Sequence, residues 1–180
     1  MMKAFEFTLK FALRDSEQSP EDYIDALYQA GCDDALVGLG KRGRIALTFD
    51  RKAQTADEAV QSAVRDVLKA IPDAKLIEAT PDLVGITDIA SFVGKTRQYI
   101  RKLETQKASF PAPVYHAGTS LWHLHSVIDW FIHEQNYREL TEIKEIAEAN
   151  MKVNLANELS LATRTYPEGL PTQLFSAYQH

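Results

Sequence analysis

Lys95, Arg97, Arg101, Lys102 and Lys107 fall within residues 94–107, opposed by a single acid, Glu104. The segment carries +4, which leaves −9 on the rest of a chain whose net charge is −5. A small cationic face on an acidic body suits phosphate chemistry. Two phosphate-bearing ligands compete for it, a nucleotide and a nucleic-acid duplex. Gly94-Lys95-Thr96 is how a nucleotide-binding loop ends, but that loop needs a glycine five positions before Gly94, where this chain has Ile89. Such a loop also follows a buried strand. "TDIASFVG" instead reads as a helix, with Thr87 as cap and Ile89, Ala90 and Val93 on one face. The duplex reading fits better. A short helix over Asp88 to Val93 meets a turn at Gly94, and a second helix follows over roughly Lys95 to Glu104. Lys95, Arg97, Arg101, Lys102 and Lys107 are then assigned to phosphates, and Thr96, Arg97 and Gln98 to base edges in a major groove.

Other constellations carry less. Gly38-Leu39-Gly40-Lys41-Arg42-Gly43 matches a dinucleotide fingerprint, but that motif must open a helix, and the residues after Gly43 alternate as a strand. A hairpin turn with a small basic tip is the expectation. Cys32, the single cysteine, follows Gly31 at a helix end and reads as a buried small residue. His116, His123 and His125 have spacing that two imidazoles on a strand face need to share zinc, yet polar wing residues are the preferred reading. No metal and no cofactor are expected. Trp122, Trp130 and Phe131 read as core rather than as a stacking platform for single strands. No nucleophile–base pair is evident, so an enzyme is not the expectation.

The elements that position these residues begin with Phe5, Phe7, Leu9, Phe11 and Leu13, which alternate with Glu6, Thr8, Lys10, Ala12 and Arg14 as a half-buried strand. "SPEDYIDALYQAG" has Ser19 as cap, Pro20 at the first helical position and Gly31 at the exit. Tyr23, Ile24, Leu27, Tyr28 and Ala30 form its stripe. "ALVGLGKRGRIALTFD" reads as two strands around a turn. A second helix starts at the capping box Thr55-x-x-Glu58, buries Val60, Ala63, Val64, Val67, Leu68 and Ile71, and stops at Pro72. "AKLIEA" is a last short strand. This β-α-β-β-α-β order predicts a ferredoxin-like domain over 1–80, with both helices on one face of the sheet and a wet, polar opposite face carrying Glu6, Thr8 and Lys10. Its role would be to sense a ligand, bind a protein or assist assembly.

After the two short helices, "VYH" and "LWH" flank Ala117-Gly118-Thr119-Ser120 as a small hairpin, and Ser126 caps a further helix with Val127, Ile128, Trp130 and Phe131. Ile86, Ile89, Ala90, Gly94 and Ile100, then Phe110-Pro111-Ala112-Pro113-Val114, then Trp122, Val127 and Trp130, resemble the AlpA/excisionase-like branch of MerR-type winged helix-turn-helix proteins over about residues 86–132. The resemblance implies DNA binding by a winged helix-turn-helix domain over 81–135, with the second helix in the major groove and the hairpin over the backbone. Many members place an arginine after the wing tryptophan. Here His123 takes that place as the candidate phosphate contact, and a neutral imidazole is the weaker partner.

Residues 136–180 are read as a C-terminal dimerisation helix and tail. Leu140, Ile143, Ala147, Met151, Leu155 and Leu159 recur three or four apart along a helix of roughly twenty-five residues, interrupted by Asn150, Asn154 and Asn157. A buried asparagine can set register in paired helices. In the tail, Leu174, Phe175 and Tyr178 are candidates for docking on a partner. The expected class is α+β, and the expected partners are double-stranded DNA, a second copy of the chain, and a protein or small-molecule effector at the N-terminal domain. No stretch approaches the length of a membrane span. Glu6 and Lys10 interrupt the apolar run that a secretion signal needs, so a cytoplasmic location is expected. A bacterial transcriptional regulator is the leading reading. An architectural factor of recombination and an antitoxin-like interaction module are the alternatives.

Overall fold

Phe5, Phe7, Leu9 and Phe11 are all buried while Glu6 between them is exposed and Thr8 and Lys10 are half-buried, so the first strand is two-faced as its alternation requires. This arrangement is seen in a computed structural model that describes residues 1–165 apart from 16, 18, 39 and 40. The tail residues Leu174, Phe175 and Tyr178, and Leu39 and Gly40 of the glycine-rich turn, lie outside the described residues. The described chain is a mixed α+β structure with two antiparallel sheets and six α-helices.

The larger sheet has the order β2-β3-β1-β4, with β1 Lys3–Ala12, β2 Ala35–Gly38, β3 Arg44–Ala53 and β4 Lys75–Thr80. Its apolar face packs on α1 (Ile24–Ala30) and α2 (Ala56–Ala70). A 3-10 turn, Pro20–Tyr23, precedes α1, and Ser19 makes no side-chain cap bond. The α1 stripe is narrower than its sequence suggests. Leu27 is buried, but Tyr28 and Ile24 face solvent because α1 is short and meets the core along one line. Thr55 caps α2 by accepting the Glu58 N–H at 3.2 Å, and the Glu58 carboxylate accepts the Gln54 N–H at 3.1 Å. Arg51 turns inward beneath the sheet. It donates to Asp34 at 2.8 and 2.9 Å, to Asp66 at 2.6 Å and to the Gly31 carbonyl at 2.7 Å, so the buried guanidinium is fully engaged. Cys32 lies beside it, and burial pushes its thiol up to about 11, which keeps it protonated and unreactive.

A second core follows. It is built by β5 (Leu83–Val84), α3 (Ile86–Phe92), α4 (Arg97–Gln106), β6 (Tyr115–Ala117), β7 (Thr119–His123) and α5 (Leu124–Gln135), with sheet order β5-β7-β6. Strand β5 has no alternating pattern in the sequence. It exists because β7 offers an edge to Leu83 and Val84. Helix α5 begins at Leu124, two residues ahead of Ser126, which lies inside the helix and does not cap it.

Helix α6 (Thr141–Thr165) belongs to both cores. Ile146 and Ala149 pack in the first and Ala147 in the second. Its asparagines do not wait for another helix. They dock on the open edge of β4 and the turn after it. Asn154 accepts the Ala79 N–H at 2.7 Å and donates to the Ala79 carbonyl and to Asp82, each at 2.8 Å. Asn157 donates to the Leu76 carbonyl at 3.0 Å, and Asn150 to the Pro81 carbonyl at 3.1 Å. The predicted dimer stripe is therefore divided. Leu140 and Ala147 are buried within the chain, Ile143 and Met151 are half-buried, and Leu155 and Leu159 remain exposed. Ion pairs fasten the same helix. Lys144 bonds Asp129 of α5, and Lys152 meets Asp57 of α2 at 3.1 Å and Glu148 at 3.0 Å.

Asn154→Ala strands both polar groups of Ala79 and uncovers Asp82, and should cost roughly 2–3 kcal/mol by urea unfolding, against about 1 kcal/mol for Asn157→Ala. The hydrogen bond from Lys144 holds Asp129 below the usual carboxylate value, and that from Lys152 does the same for Glu148. A lowered folded-state value stabilises the protein above the unfolded carboxylate range and loses that contribution as pH falls through the folded value. The urea midpoint should thus drop below about pH 4, and Lys144→Met should flatten part of that drop. An unchanged acid limb in Lys144→Met would show that the pair contributes nothing.

Candidate nucleic-acid interface

The turn between α3 and α4 is set by its hydrogen bonds. Gly94 sits at φ +63°, the Gly94 N–H donates to the Ser91 carbonyl at 3.2 Å, and the Lys95 N–H donates to the Ala90 carbonyl at 2.8 Å. These two bonds close α3 in a Schellman motif, which calls for a left-handed residue where glycine stands. The next helix starts two residues later than the charge pattern suggests. Thr96 is its cap and accepts the Tyr99 N–H at 3.2 Å, so its hydroxyl is engaged in holding the helix rather than left free for a base. At the start of α3, Gly85 stands at the cap position in place of Thr87, and the Asp88 carboxylate accepts the Gly85 N–H at 3.0 Å.

Helix α4 buries Ile100 and Leu103 and half-buries Tyr99. That leaves Arg97, Gln98, Arg101 and Lys102 on the outer face, all exposed, with Lys107 exposed at the C-cap. Lys95 is exposed in the turn, but it is held: its ammonium lies 5.9 Å from the Tyr99 ring centre and 5.7 Å from that of Tyr137. The neighbouring Tyr137 side chain raises the Lys95 ammonium above the ordinary lysine value. Among the described residues, no carboxylate lies within 4.0 Å of Lys95, Arg97, Arg101, Lys102 or Lys107; elsewhere Lys3, Lys10, Arg14, Arg42, Arg51, Lys144 and Lys152 are paired, while others, Lys41 and Arg44 among them, are not.

The arrangement works against the stability of α4. Its first turn has no acid and carries Arg97, although the helix dipole favours anions there. Arg97 and Arg101 are one turn apart and repel each other. The helix N-terminus, the two arginines and Lys95 instead add up to one positive field, which attracts phosphate.

The hairpin beside α4 is built around Phe110. Its ring meets Trp130 edge-on at 5.1 Å and Trp122 at 6.4 Å between centres. Both indoles are buried and satisfied, Trp122 donating to the Pro111 carbonyl at 2.9 Å and Trp130 to the Ser109 hydroxyl at 3.1 Å. These tryptophans are core and offer no stacking surface. Strands β6 and β7 turn at Gly118, φ +77°.

His123 is occupied within the chain. Its Nδ1 lies 2.7 Å from Asp82, a carboxylate only 2% exposed that also accepts from Asn154. The residue assigned to a phosphate by its position after Trp122 is thus committed to the junction with α6. Asp82 reads as an ordinary turn residue in "TPDLVG", and no local pattern marks it. Tyr137 likewise has no signal that connects it with Lys95. The three wing histidines have separate neighbours: His116 meets Ser120 at 2.7 Å, His123 meets Asp82, and His125, in the first turn of α5, lies 3.8 Å from Glu148. No metal-holding group of three or more His, Cys, Asp or Glu forms among the described residues.

No protein-family model, curated protein or solved structure matches the chain.

A Cβ at Gly94 would meet nothing within 4 Å, so Gly94→Ala tests backbone strain without a clash. It should destabilise the protein by about 1 kcal/mol, read as a melting-temperature drop of roughly 2–4 °C. A neutral result would mean that the turn does not need its left-handed residue.

Proposed function

We propose that the chain is a sequence-specific DNA-binding regulator whose α4 enters the major groove. The observation that carries this reading is the set of exposed cations on α4 and its flanking turns, unpaired with any carboxylate among the described residues, on a helix whose own stability they lower. Consecutive short helices joined by a tight glycine turn, followed by a small hairpin and a packed helix, support reading residues 81–135 as a winged helix-turn-helix unit. The strand order β2-β3-β1-β4 with α1 and α2 on one face supports a ferredoxin-like reading of residues 1–80. The absence of any helix long and apolar enough to cross a membrane, among the described residues, is consistent with a role away from the bilayer.

Arg97 and Gln98 are the base-reading candidates, since they project from the outer face at the start of α4. Lys95, Arg101, Lys102 and Lys107 are assigned to phosphates. Two copies of the chain would read two half-sites about one duplex turn or a multiple apart, and Leu155 and Leu159 at the free end of α6 are available for that pairing.

Selection of bound duplexes from a random pool, repeated over a salt series, tests the assignment. Arg97→Ala should change the selected motif. Lys102→Ala should weaken all sequences alike and reduce the salt slope by about one unit. If both variants select and bind like the parent, α4 is not the reading helix.

A further inference from the structure

The face of the larger sheet opposite α1 and α2 carries a depression that neither the cores nor α4 uses. Gly38, Ala46, Lys10 and Glu78 form one row across β2, β3, β1 and β4. Gly38 and Ala46 leave the floor low on one side. On the other, the β1–β4 register shifts between Lys10 and Phe11, so that Ile77 has no partner on β1 and stands 42% exposed. A bulge gives up regular pairing and re-aims a side chain. Here it places a large apolar group beside a lysine, on a face that also carries the exposed Leu36.

Together these residues surround a cavity of about 410 Å³, bounded also by Lys41 and Arg44. That volume falls within the range of small-molecule sites. Its charge is positive. Glu78 is the one acid in the lining, and it is already bonded to Lys10 at 2.5 Å. Arg44 and Lys41 have no carboxylate within 4.0 Å among the described residues.

We propose that this depression binds a small organic carboxylate with a compact apolar body. The carboxylate meets Arg44, whose planar guanidinium matches it in two hydrogen bonds, with Lys41 and Lys10 beside it. The apolar body covers Ala46 and lies against Ile77. Inorganic phosphate would satisfy the cations but leave the apolar wall wet, and acetate is too small to reach it. The site is separate from α4, and its ligand binding does not rest on the DNA-binding reading.

The test is a titration of the full chain, 15N-labelled and free of DNA, with phenylacetate, and with acetate and inorganic phosphate in parallel. Phenylacetate should saturate, with amide shifts centred on Gly38, Ala46 and Ile77, and bind at least about tenfold more tightly than acetate or phosphate. Arg44→Glu, at an exposed position, should weaken it about tenfold or more by reversing one contact charge. Ala46→Leu should block it by filling the floor while leaving every charge in place. Arg97→Ala should bind phenylacetate like the parent, so a failure of the DNA reading leaves this result standing. Shifts scattered over the surface, equal binding of phosphate, or parental affinity in both Arg44→Glu and Ala46→Leu would each overturn the proposal.

Discussion

The amide and carbonyl of Ala79 face away from the sheet, on the edge where β4 has no neighbouring strand, and Asn154 satisfies both. An exposed strand edge invites pairing with another chain. A helix cannot continue a ladder, but an amide side chain presents the same donor and acceptor as a peptide group. Asn150, Asn154 and Asn157 lie on one side of α6, and they convert a helix into a cover for β4 and the turn that leaves it. The third bond of Asn154, to Asp82, extends this junction to the base of the hairpin through His123. The edge of one sheet and the foot of the other are therefore tied by the same three side chains.

That junction is what allows α6 to serve two cores. Ile146 and Ala149 turn one way and Ala147 the other, as neighbouring positions on a helix do. The pairs Lys144–Asp129 and Lys152–Asp57 lie outside these contacts and fasten α6 to α5 and α2. They are partly exposed and act mainly on orientation. Through Ala147, α6 thereby joins the core in which the short elements β5, α3 and α4 are packed. None of those elements is long enough to be stable alone.

Charge is distributed by a different logic. Where cations serve the fold they are paired, and Arg51 is the extreme case, buried with two carboxylates and a carbonyl around it. Along α4 they are left without such partners, and packing compensates for their repulsion. Ile100 and Leu103 anchor the helix from beneath, and the Schellman turn at Gly94 sets its direction. Phe110, clasped by Trp122 and Trp130, fixes the hairpin beside it. The cationic surface of α4 is thus supported by contacts that lie wholly behind it.

Local patterns in the chain were enough to identify the alternating face of β1, the glycine turn at Gly94, the capping threonine of α2, the hairpin at Gly118 and the cationic stretch itself. In each of these, the physical cause lies within a few residues: pleat period, backbone sterics, a cap bond, a run of like charge. What required tertiary structure were the features whose causes lie far apart in sequence. Strand β5 exists only because β7 accepts it. The asparagines of α6 read as interruptions of an apolar stripe until β4, about seventy-five residues earlier for Asn154, supplies the groups they bond. His123 and Asp82, and Lys95 and Tyr137, meet only once two helices and a sheet have been packed. Short-range sterics and charge are written directly in the order of residues, whereas the partner of a buried polar group is chosen by which distant segment arrives beside it.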